Sequence, residues 1–166
     1  MDLKVRKPNL FIIGASKCAT TSLWSLLDSH PEVFMSDPKE PSYFVKDDYK
    51  EEMLSYLSLF EKATTQKYLG DASPVYSETT VFPVIAKRLY NFNSESKIIY
   101  IVRNPFDRMP SQWKQTLQTG HWFINKYKER FYKDGIDLMP TNFAEAVLQY
   151  PPFLEASKYW THLSEY

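Results

Sequence analysis

The chain has 166 residues, and its 20 basic and 20 acidic side chains cancel to a formal net charge of zero. This balance argues against a surface built to hold nucleic acid or a charged membrane, so any attraction for anions must be local. The length suits one domain over residues 1–166, with a core that buries about two-thirds of the unfolded surface. We find no apolar run near the roughly 18 residues of a membrane span, and no signal-peptide core near the N-terminus.

The chain has a single cysteine, Cys18. One cysteine excludes an intrachain disulfide framework and a multi-cysteine metal site, and it suits the reducing environment of the cytoplasm. The three histidines have no metal-ligand spacing with one another, so we expect no metal site. Cys18 itself has two interpretations: a small loop residue, or a nucleophile whose pKa is lowered beside a helix start.

The first predicted strand, at about residues 9–14, is a near-continuous apolar run that suits a parallel strand buried on both faces. A turn of small residues and the start of a helical pattern follow it. In order, this stretch reads Gly14, Ala15, Ser16, Lys17, Cys18, Ala19, Thr20, Thr21 and Ser22. Backbone N–H groups and the positive end of a helix dipole meet at such a junction, which predicts a cradle for phosphate or sulfate.

Lys17 adds a mobile positive charge to this turn, and the three hydroxyl residues can cap the helix or bond ligand oxygens. The order differs from the ordinary nucleotide loop, G-x-x-x-x-G-K-[ST]: Lys17 comes three residues after Gly14, and Ala19 stands where a second glycine is expected. The alternative interpretation is a buried strand that enters a well-capped helix, with Lys17 solvated.

The rest of the chain alternates between strand and helix patterns. Further strands are predicted at residues 33–35, within the stretch 68–76, which is a short strand ending in a turn, and at 97–102. Helices are predicted up to residue 28 and at 47–60, 80–90, 143–149 and 156–166. This order predicts a three-layer, P-loop-like α/β fold with a mostly parallel central sheet flanked by helices. Asp71 and Ser73 lie near the carboxyl end of a strand, where ligands bind in open α/β sheets, and are secondary site candidates.

Residues 36–44 contain two prolines, Pro38 and Pro41, that enclose Lys39 and Glu40. Prolines restrict the backbone, and a general base needs a carboxylate held within hydrogen-bond reach of the acceptor. Glu40 is therefore a candidate base. The alternative is that Lys39 and Glu40 are solvated loop charges.

A second candidate anion site follows the predicted strand at 97–102. Arg103 lies at the carboxyl end of that strand, and Pro105 suits the first turn of a helix that would bring Ser111 toward the same ligand. An arginine fork and a hydroxyl can share one phosphate. Further on, residues 120–135 mix aromatic and basic residues, which indicates either a solvated helix with one packed face or a surface for an anionic acceptor.

In this order, the two segments resemble the segments with which the sulfotransferase family binds PAPS (3′-phosphoadenosine-5′-phosphosulfate). The resemblance implies that the turn of residues 14–22 holds the 5′-phosphosulfate, with Lys17 neutralising the leaving group. It implies that Arg103 and Ser111 hold the 3′-phosphate. Residues 38–44 are similar to the segment that supplies the catalytic glutamate in the heparan-sulfate branch, which implies that Glu40 is the base.

The likeness therefore implies a sulfotransferase that moves a sulfuryl group from PAPS, without a metal, to a hydroxyl or amine of an acceptor, with carbohydrate as the first candidate. In two respects the chain departs from the family. Ala72 stands where the heparan-sulfate branch has a lysine, and the family continues beyond the last residue here, so a C-terminally truncated domain is expected. The alternatives are a P-loop nucleotide kinase or hydrolase, and an inactive truncated module that binds nucleotide.

Overall fold

The computed structural model describes residues 6–119, 132–133, 136–137 and 139–166. The basic and aromatic stretch at 120–135 therefore lies almost wholly outside the described residues, and the choice between its two interpretations stays open. The chain divides into two compact units: residues 1–102 with 160–166 form the first unit, and residues 103–159 form the second. The expectation of a single domain is not tested by this division and stays a prediction.

The first unit is built on a sheet of four strands, β1 (Leu10–Gly14), β2 (Val33–Met35), β3 (Tyr68–Asp71) and β4 (Lys97–Tyr100). Their order in the sheet is β2-β3-β1-β4, and every pairing is parallel. Leu10 of β1 lies opposite Gly70 on one side and opposite Lys97 on the other. β1 is therefore an inner strand, and its five residues are all buried, as its apolar run predicts.

The helices of the first unit are α1 (Thr20–Asp28), α2 (Met53–Ser58) and α3 (Ile85–Phe92), with 3₁₀ turns at Tyr43–Val45 and Pro74–Ser77. Alternate side chains of β1 enter two different clusters, because successive residues of a strand face opposite sides of the sheet. Phe11 and Ile13 pack with residues of α2 and α3. Leu10 and Ile12 pack in a cluster that includes residues of α1. The predicted α/β architecture, with a parallel sheet flanked by helices, is confirmed.

The second unit contains α4 (Pro105–Thr119), the short paired strands β5 (Tyr132–Lys133) and β6 (Ile136–Asp137), and the helices α5 (Phe143–Gln149) and α6 (Pro152–Glu155). α7 (Tyr159–Leu163) begins at the last residue of this unit. A cluster of buried apolar side chains from α4, α5 and α6 forms the core of the second unit. No helix in the described part of the chain is long and apolar enough to cross a membrane.

Three predicted helices are wrong in their extent. The helix predicted over 47–60 is confined to α2, because residues 47–52 form turns that leave most of their charged side chains exposed. The helix predicted over 80–90 starts only after Pro83, which lacks an N–H group and disfavours helical backbone at the preceding residue. The helix predicted over 156–166 is limited to α7, because the chain turns between α6 and α7.

Candidate functional site

The turn after β1 starts at the buried carboxyl end of that strand. Ala15 N–H donates to the Ile101 carbonyl at 2.7 Å, and Ile101 N–H donates to the Gly14 carbonyl at 2.9 Å. The backbone is left-handed at Lys17 (φ 66°) and at Ala19 (φ 65°), so the chain changes direction sharply before α1 begins. The turn is thus tied to the sheet at the edge where open α/β folds bind their ligands.

Gly14 is the one residue of this turn that cannot carry a side chain. A Cβ atom at Gly14 would lie 2.2 Å from Ser77 Oγ, 2.8 Å from Ser77 Cβ and 3.1 Å from Tyr100 Cε2. Its φ of +154° is a further obstacle to a side chain. The glycine therefore allows the strand end to approach the 3₁₀ turn at Pro74–Ser77.

The N-terminus of α1 has no side-chain cap. Its N-cap residue is Ala19, and the first helical bond runs from Leu23 N–H to the Ala19 carbonyl at 3.1 Å. The N–H groups of Thr20, Thr21 and Ser22 precede that bond and have no carbonyl partner within the helix. The expectation that these three hydroxyl residues cap the helix is wrong. Their alternative role, bonding to ligand oxygens, is untested and stays a prediction.

The side chains around this N-terminus differ in their exposure. Thr20 is buried, whereas Thr21 and Ser22 are exposed, and Ser16 and Lys17 are half-buried. Within the described part of the chain, Lys17 forms no ion pair, so its ammonium group is available to an anionic ligand. The turn therefore offers backbone donors, two open hydroxyl groups and one full positive charge.

Ala15 and Cys18 are packed inside the turn. Ala15 is 1% exposed and Cys18 is 2% exposed. The Cys18 thiol lies 3.7 Å from the Ser16 carbonyl, to which it donates a weak hydrogen bond. A nucleophilic thiol needs access to its substrate, so the structure favours the interpretation of Cys18 as a small, packed loop residue.

Residues 36–44, the Glu40 segment, hold the candidate base on a strained backbone. Glu40 (φ 62°) and Ser42 (φ 51°) are both left-handed without being glycine. Lys39 and Glu40 form an ion pair, and the Glu40 side chain is about half exposed, at 49%. The Glu40 carboxylate can therefore meet an acceptor that arrives from solvent.

Buried side chains anchor the Glu40 segment at its C-terminal side. Tyr43 and Phe44 are buried in the aromatic cluster of the first unit. Arg88 of α3 donates to the Phe44 carbonyl at 2.7 Å and to the Lys46 carbonyl at 2.8 Å. Its guanidinium also lies 4.3 Å from the centre of the Tyr49 ring. The C-terminal side of the segment is thus held both by packing and by an arginine.

Asp71 lies inside the protein at the end of β3, with no exposed surface. Its Oδ1 accepts a hydrogen bond from Ser73 Oγ at 2.6 Å, and its Oδ2 accepts from Tyr56 at 2.9 Å and from Tyr76 at 2.8 Å. Burial raises the pKa of Asp71 from 3.8 to about 6, although the three hydrogen bonds oppose that increase and the charge of Glu40 adds to it. Burial, followed by the charge of Asp71, raises the pKa of both tyrosines, so their hydroxyl groups remain donors.

The position of Asp71 and Ser73 at a strand end predicts that they are open to a ligand. This prediction is wrong, because both side chains are buried. Ser73 is also fully buried, as is Ala72. The sequence predicts that Asp71 lies at a strand end. It does not predict that two tyrosines, one of them from α2, cover the carboxylate and donate hydrogen bonds to it.

The second unit contains the other predicted anion-binding residues. Asn104 precedes α4, and its Oδ1 accepts a hydrogen bond from Phe106 N–H at 3.0 Å, while Pro105 occupies the first helical position. Arg103 is exposed, and its carbonyl accepts a hydrogen bond from the Tyr159 hydroxyl at 2.7 Å. Ser111 is half-buried on the same helix. The predicted helix start after Arg103 is confirmed.

Arg108 has a structural role that the sequence analysis missed. Although it is an arginine, Arg108 has no exposed surface. Its Nε donates to Ser157 Oγ at 2.9 Å, its Nη1 to Gln112 Oε1 at 2.6 Å, and its Nη2 to the Phe153 carbonyl. Arg108 therefore joins α4 to α6 and the chain that follows it. The spacing of four residues between Arg108 and Gln112 on one helix was the only signal of this role in the sequence.

The predicted site residues belong to different units: Lys17 of the first anion site and the candidate base Glu40 lie in the first unit, and Arg103 and Ser111 of the second anion site lie in the second. That the two anion sites bind the 5′- and 3′-phosphates of the same ligand is not tested by either unit alone and stays a prediction. Among the described residues, no group of three histidine, cysteine or carboxylate side chains could hold a metal ion.

A parallel sheet whose inner strand β1 ends in a lysine-bearing turn and a helix N-terminus defines a P-loop-like α/β fold. Residues 7–166 match the family described as the sulfotransferase domain. A crystal structure of a sulfotransferase from Alicyclobacillus acidocaldarius matches with a TM-score of 0.69 and 26% identity, covering 97% of this chain and 68% of that one. The chain belongs to the sulfotransferase domain family.

Two curated relatives support the same conclusion. Heparan sulfate glucosamine 3-O-sulfotransferase 5 of Mus musculus is 31% identical over 166 residues, which cover 99% of this chain and 45% of that protein. Membrane-associated sulfotransferase kil1 of Dictyostelium discoideum is 33% identical over 114 residues, which cover 67% of this chain and 23% of that protein. The chain thus spans less than half the length of these two relatives.

Proposed function

We propose that this chain carries the PAPS-binding turn and the catalytic base of a sulfotransferase. The observation that carries the proposal is the turn after β1, in which Lys17 comes shortly before the uncapped first N–H groups of α1 at the end of an inner strand. Donors of this kind bind phosphate and sulfate oxygens. Membership of the sulfotransferase family supports PAPS, the co-substrate that supplies the sulfuryl group, as the ligand of this turn.

In the proposed reaction, an acceptor hydroxyl or amine attacks the sulfur of PAPS. A bond from the acceptor atom to sulfur forms, the bond from sulfur to the 5′-phosphate oxygen breaks, and Glu40 takes the acceptor's proton. Lys17 and the N-terminus of α1 stabilise the charge that develops on the leaving group, adenosine 3′,5′-bisphosphate. Arg103 and Ser111 hold its 3′-phosphate. As in phosphoryl transfer, the protein contributes mainly positioning and charge stabilisation.

We propose carbohydrate as the acceptor class. Two observations support it: the relative that matches along nearly the whole chain is named a heparan sulfate glucosamine 3-O-sulfotransferase, and the Glu40 segment resembles the base-bearing segment of that branch. Ala72 is buried and has no amine, so it cannot supply the contact of the lysine that the resemblance places here in the branch.

Binding of adenosine 3′,5′-bisphosphate, measured by calorimetry with and without magnesium, tests the cofactor assignment. Lys17→Ala should weaken binding about tenfold to hundredfold, because a hydrogen bond to a charged group contributes about 1.5–3 kcal/mol. Lys62→Ala, which removes an exposed lysine of the same unit, is the matched control and should leave binding unchanged. Magnesium-dependent binding of ATP in preference to the bisphosphate would favour a nucleotide kinase or hydrolase. Binding of neither would favour an inactive module.

Transfer of radiolabelled sulfate from PAPS to a heparan-type oligosaccharide tests the base. Glu40→Gln should reduce turnover about 10²- to 10⁴-fold, the range for a general base, with little change in bisphosphate affinity. Glu61→Gln, which neutralises an exposed glutamate of the same unit, is its control. Equal turnover of Glu40→Gln and the parent would remove Glu40 from the mechanism.

A further inference from the structure

The buried carboxylate of Asp71 takes no part in the proposed reaction. It nevertheless accepts three hydrogen bonds, from Ser73, Tyr56 and Tyr76. Burying an ionisable group is costly unless it is well paired, and a fully hydrogen-bonded buried network makes the surrounding structure rigid. The hydrogen bonds of Asp71 therefore show which segment they fix.

Ser73 links Asp71 to the backbone of the Glu40 segment. Its hydroxyl donates to Asp71 Oδ1 at 2.6 Å and accepts a hydrogen bond from Ser42 N–H at 3.0 Å. Because the Ser73 hydroxyl donates its hydrogen to Asp71, its oxygen lone pairs are free to accept hydrogen bonds from other donors. The result is a chain of two hydrogen bonds from a rigid strand end to a backbone group two residues from Glu40.

The Glu40 segment needs such an anchor. Left-handed backbone is unfavourable at a residue other than glycine, and the segment has two such residues, Glu40 and Ser42. The Ser42 hydroxyl also donates to the Glu40 carbonyl at 3.3 Å, which closes the turn between them. The anchors described above, Arg88 and the buried Phe44, hold only the far side of the segment.

We propose that Asp71 and Ser73 are positioning residues for the base: through the Ser42 N–H group they fix the strained turn that directs the Glu40 carboxylate. This proposal rests on the proposed function of Glu40. Neither Asp71 nor Ser73 touches substrate, since both are buried. They act on the reaction only through the orientation of the segment, and a small displacement of a catalytic group is enough to lower its rate.

Ser73→Ala is the direct test in the full chain, because it removes the link and leaves Asp71 with its two tyrosine donors. We expect turnover to fall about 10- to 100-fold while the affinity for adenosine 3′,5′-bisphosphate is unchanged. Backbone amide exchange in residues 40–44 should accelerate, because Ser42 N–H loses its acceptor.

Thr79→Val is the matched control. The Thr79 hydroxyl is also buried in the first unit, where it forms a hydrogen bond of 3.1 Å with His162 Nδ1, and it takes no part in the contacts of the Glu40 segment given above. Its loss should reduce thermal stability much as Ser73→Ala does, and leave turnover and exchange in residues 40–44 as in the parent. A merely structural role of Ser73 predicts that the two variants behave alike, which would overturn the proposal.

The experiment separates this proposal from the function on which it rests. If Glu40→Gln keeps full turnover, the assignment of the base fails, whatever Ser73→Ala does. If Glu40→Gln is inactive but Ser73→Ala keeps the parent's turnover or exchange rates, only the positioning role fails. The exchange measurement requires no turnover, so unchanged exchange at residues 40–44 overturns the anchoring even in an inactive chain.

Discussion

Replacing Asp71 with asparagine should change how the stability of the protein depends on pH. Asp71 has a pKa of about 6 in the folded protein, against 3.8 ordinarily, because it is buried. A pKa raised by folding means that the folded state binds the proton more tightly than the unfolded state. The stability that this proton contributes is fully present below about pH 4 and is lost as the pH rises through about 6.

The size of the effect follows from the pKa difference of about two, since one pKa unit corresponds to about 1.4 kcal/mol. Because the carboxyl of the unfolded chain is already partly ionised at pH 4, the free energy of unfolding of the parent should fall by about 2 kcal/mol, relative to that of Asp71→Asn, between pH 4 and pH 7. Asparagine does not titrate, and the other ionisable groups are common to both proteins, so their contributions largely cancel in the comparison.

Urea denaturation of both proteins at several pH values between 4 and 7 measures this difference. The reasoning is refuted if the difference between the two free energies of unfolding stays constant over that range. It is also refuted if the parent gains stability relative to Asp71→Asn as the pH rises. That result would mean that the hydrogen bonds from Ser73, Tyr56 and Tyr76 outweigh burial and hold the pKa of Asp71 below its ordinary value.

Three further substitutions test the packing. Gly14→Ala should lower the free energy of unfolding by about 1–3 kcal/mol or more, because the new Cβ would lie 2.8 Å from Ser77 Cβ. Gly70→Ala should lower it less, because its new Cβ meets the flexible end of the Met35 side chain. Equal losses of the two variants in urea denaturation would contradict this expectation. Arg108→Ala should cost about 3–5 kcal/mol, because it empties a buried site and leaves several buried acceptors without their donor; a loss below about 1 kcal/mol would show that water replaces the guanidinium.

The sequence predicts the elements on which the site is built. The strands β1 and β2 and the helix start at Pro105 lie where their patterns place them, because short-range signals decide them. β4 begins at Lys97 as predicted but ends at Tyr100, two residues before its predicted end. The helix at Phe143–Gln149 is also confirmed, and its N-cap Asn142 explains where it starts. The family follows from the same short motifs and is confirmed by the match over residues 7–166.

The rest depends on contacts between residues far apart in the sequence. The sequence predicts that Asp71 is open to ligands, but in the structure Tyr56, 15 residues earlier, covers it and donates a hydrogen bond to it. The structural role of Arg108 depends on Phe153 and Ser157, more than 40 residues later, which accept hydrogen bonds from its guanidinium. Pairings of this kind are set by the tertiary fold, and local sequence patterns do not contain them. The cytoplasmic location inferred from the single cysteine stays a prediction.

The ring of Tyr43 in the Glu40 segment stacks on that of Tyr56, with centroids 4.0 Å apart and planes within 2° of parallel. Two phenol chromophores this close and this well aligned couple their electronic transitions, so the pair should give a distinct band in near-ultraviolet circular dichroism. Tyr56→Phe and Tyr43→Phe would assign that band. The protein thus contains its own optical reporter beside the proposed base, and the state of the segment can be followed without a label.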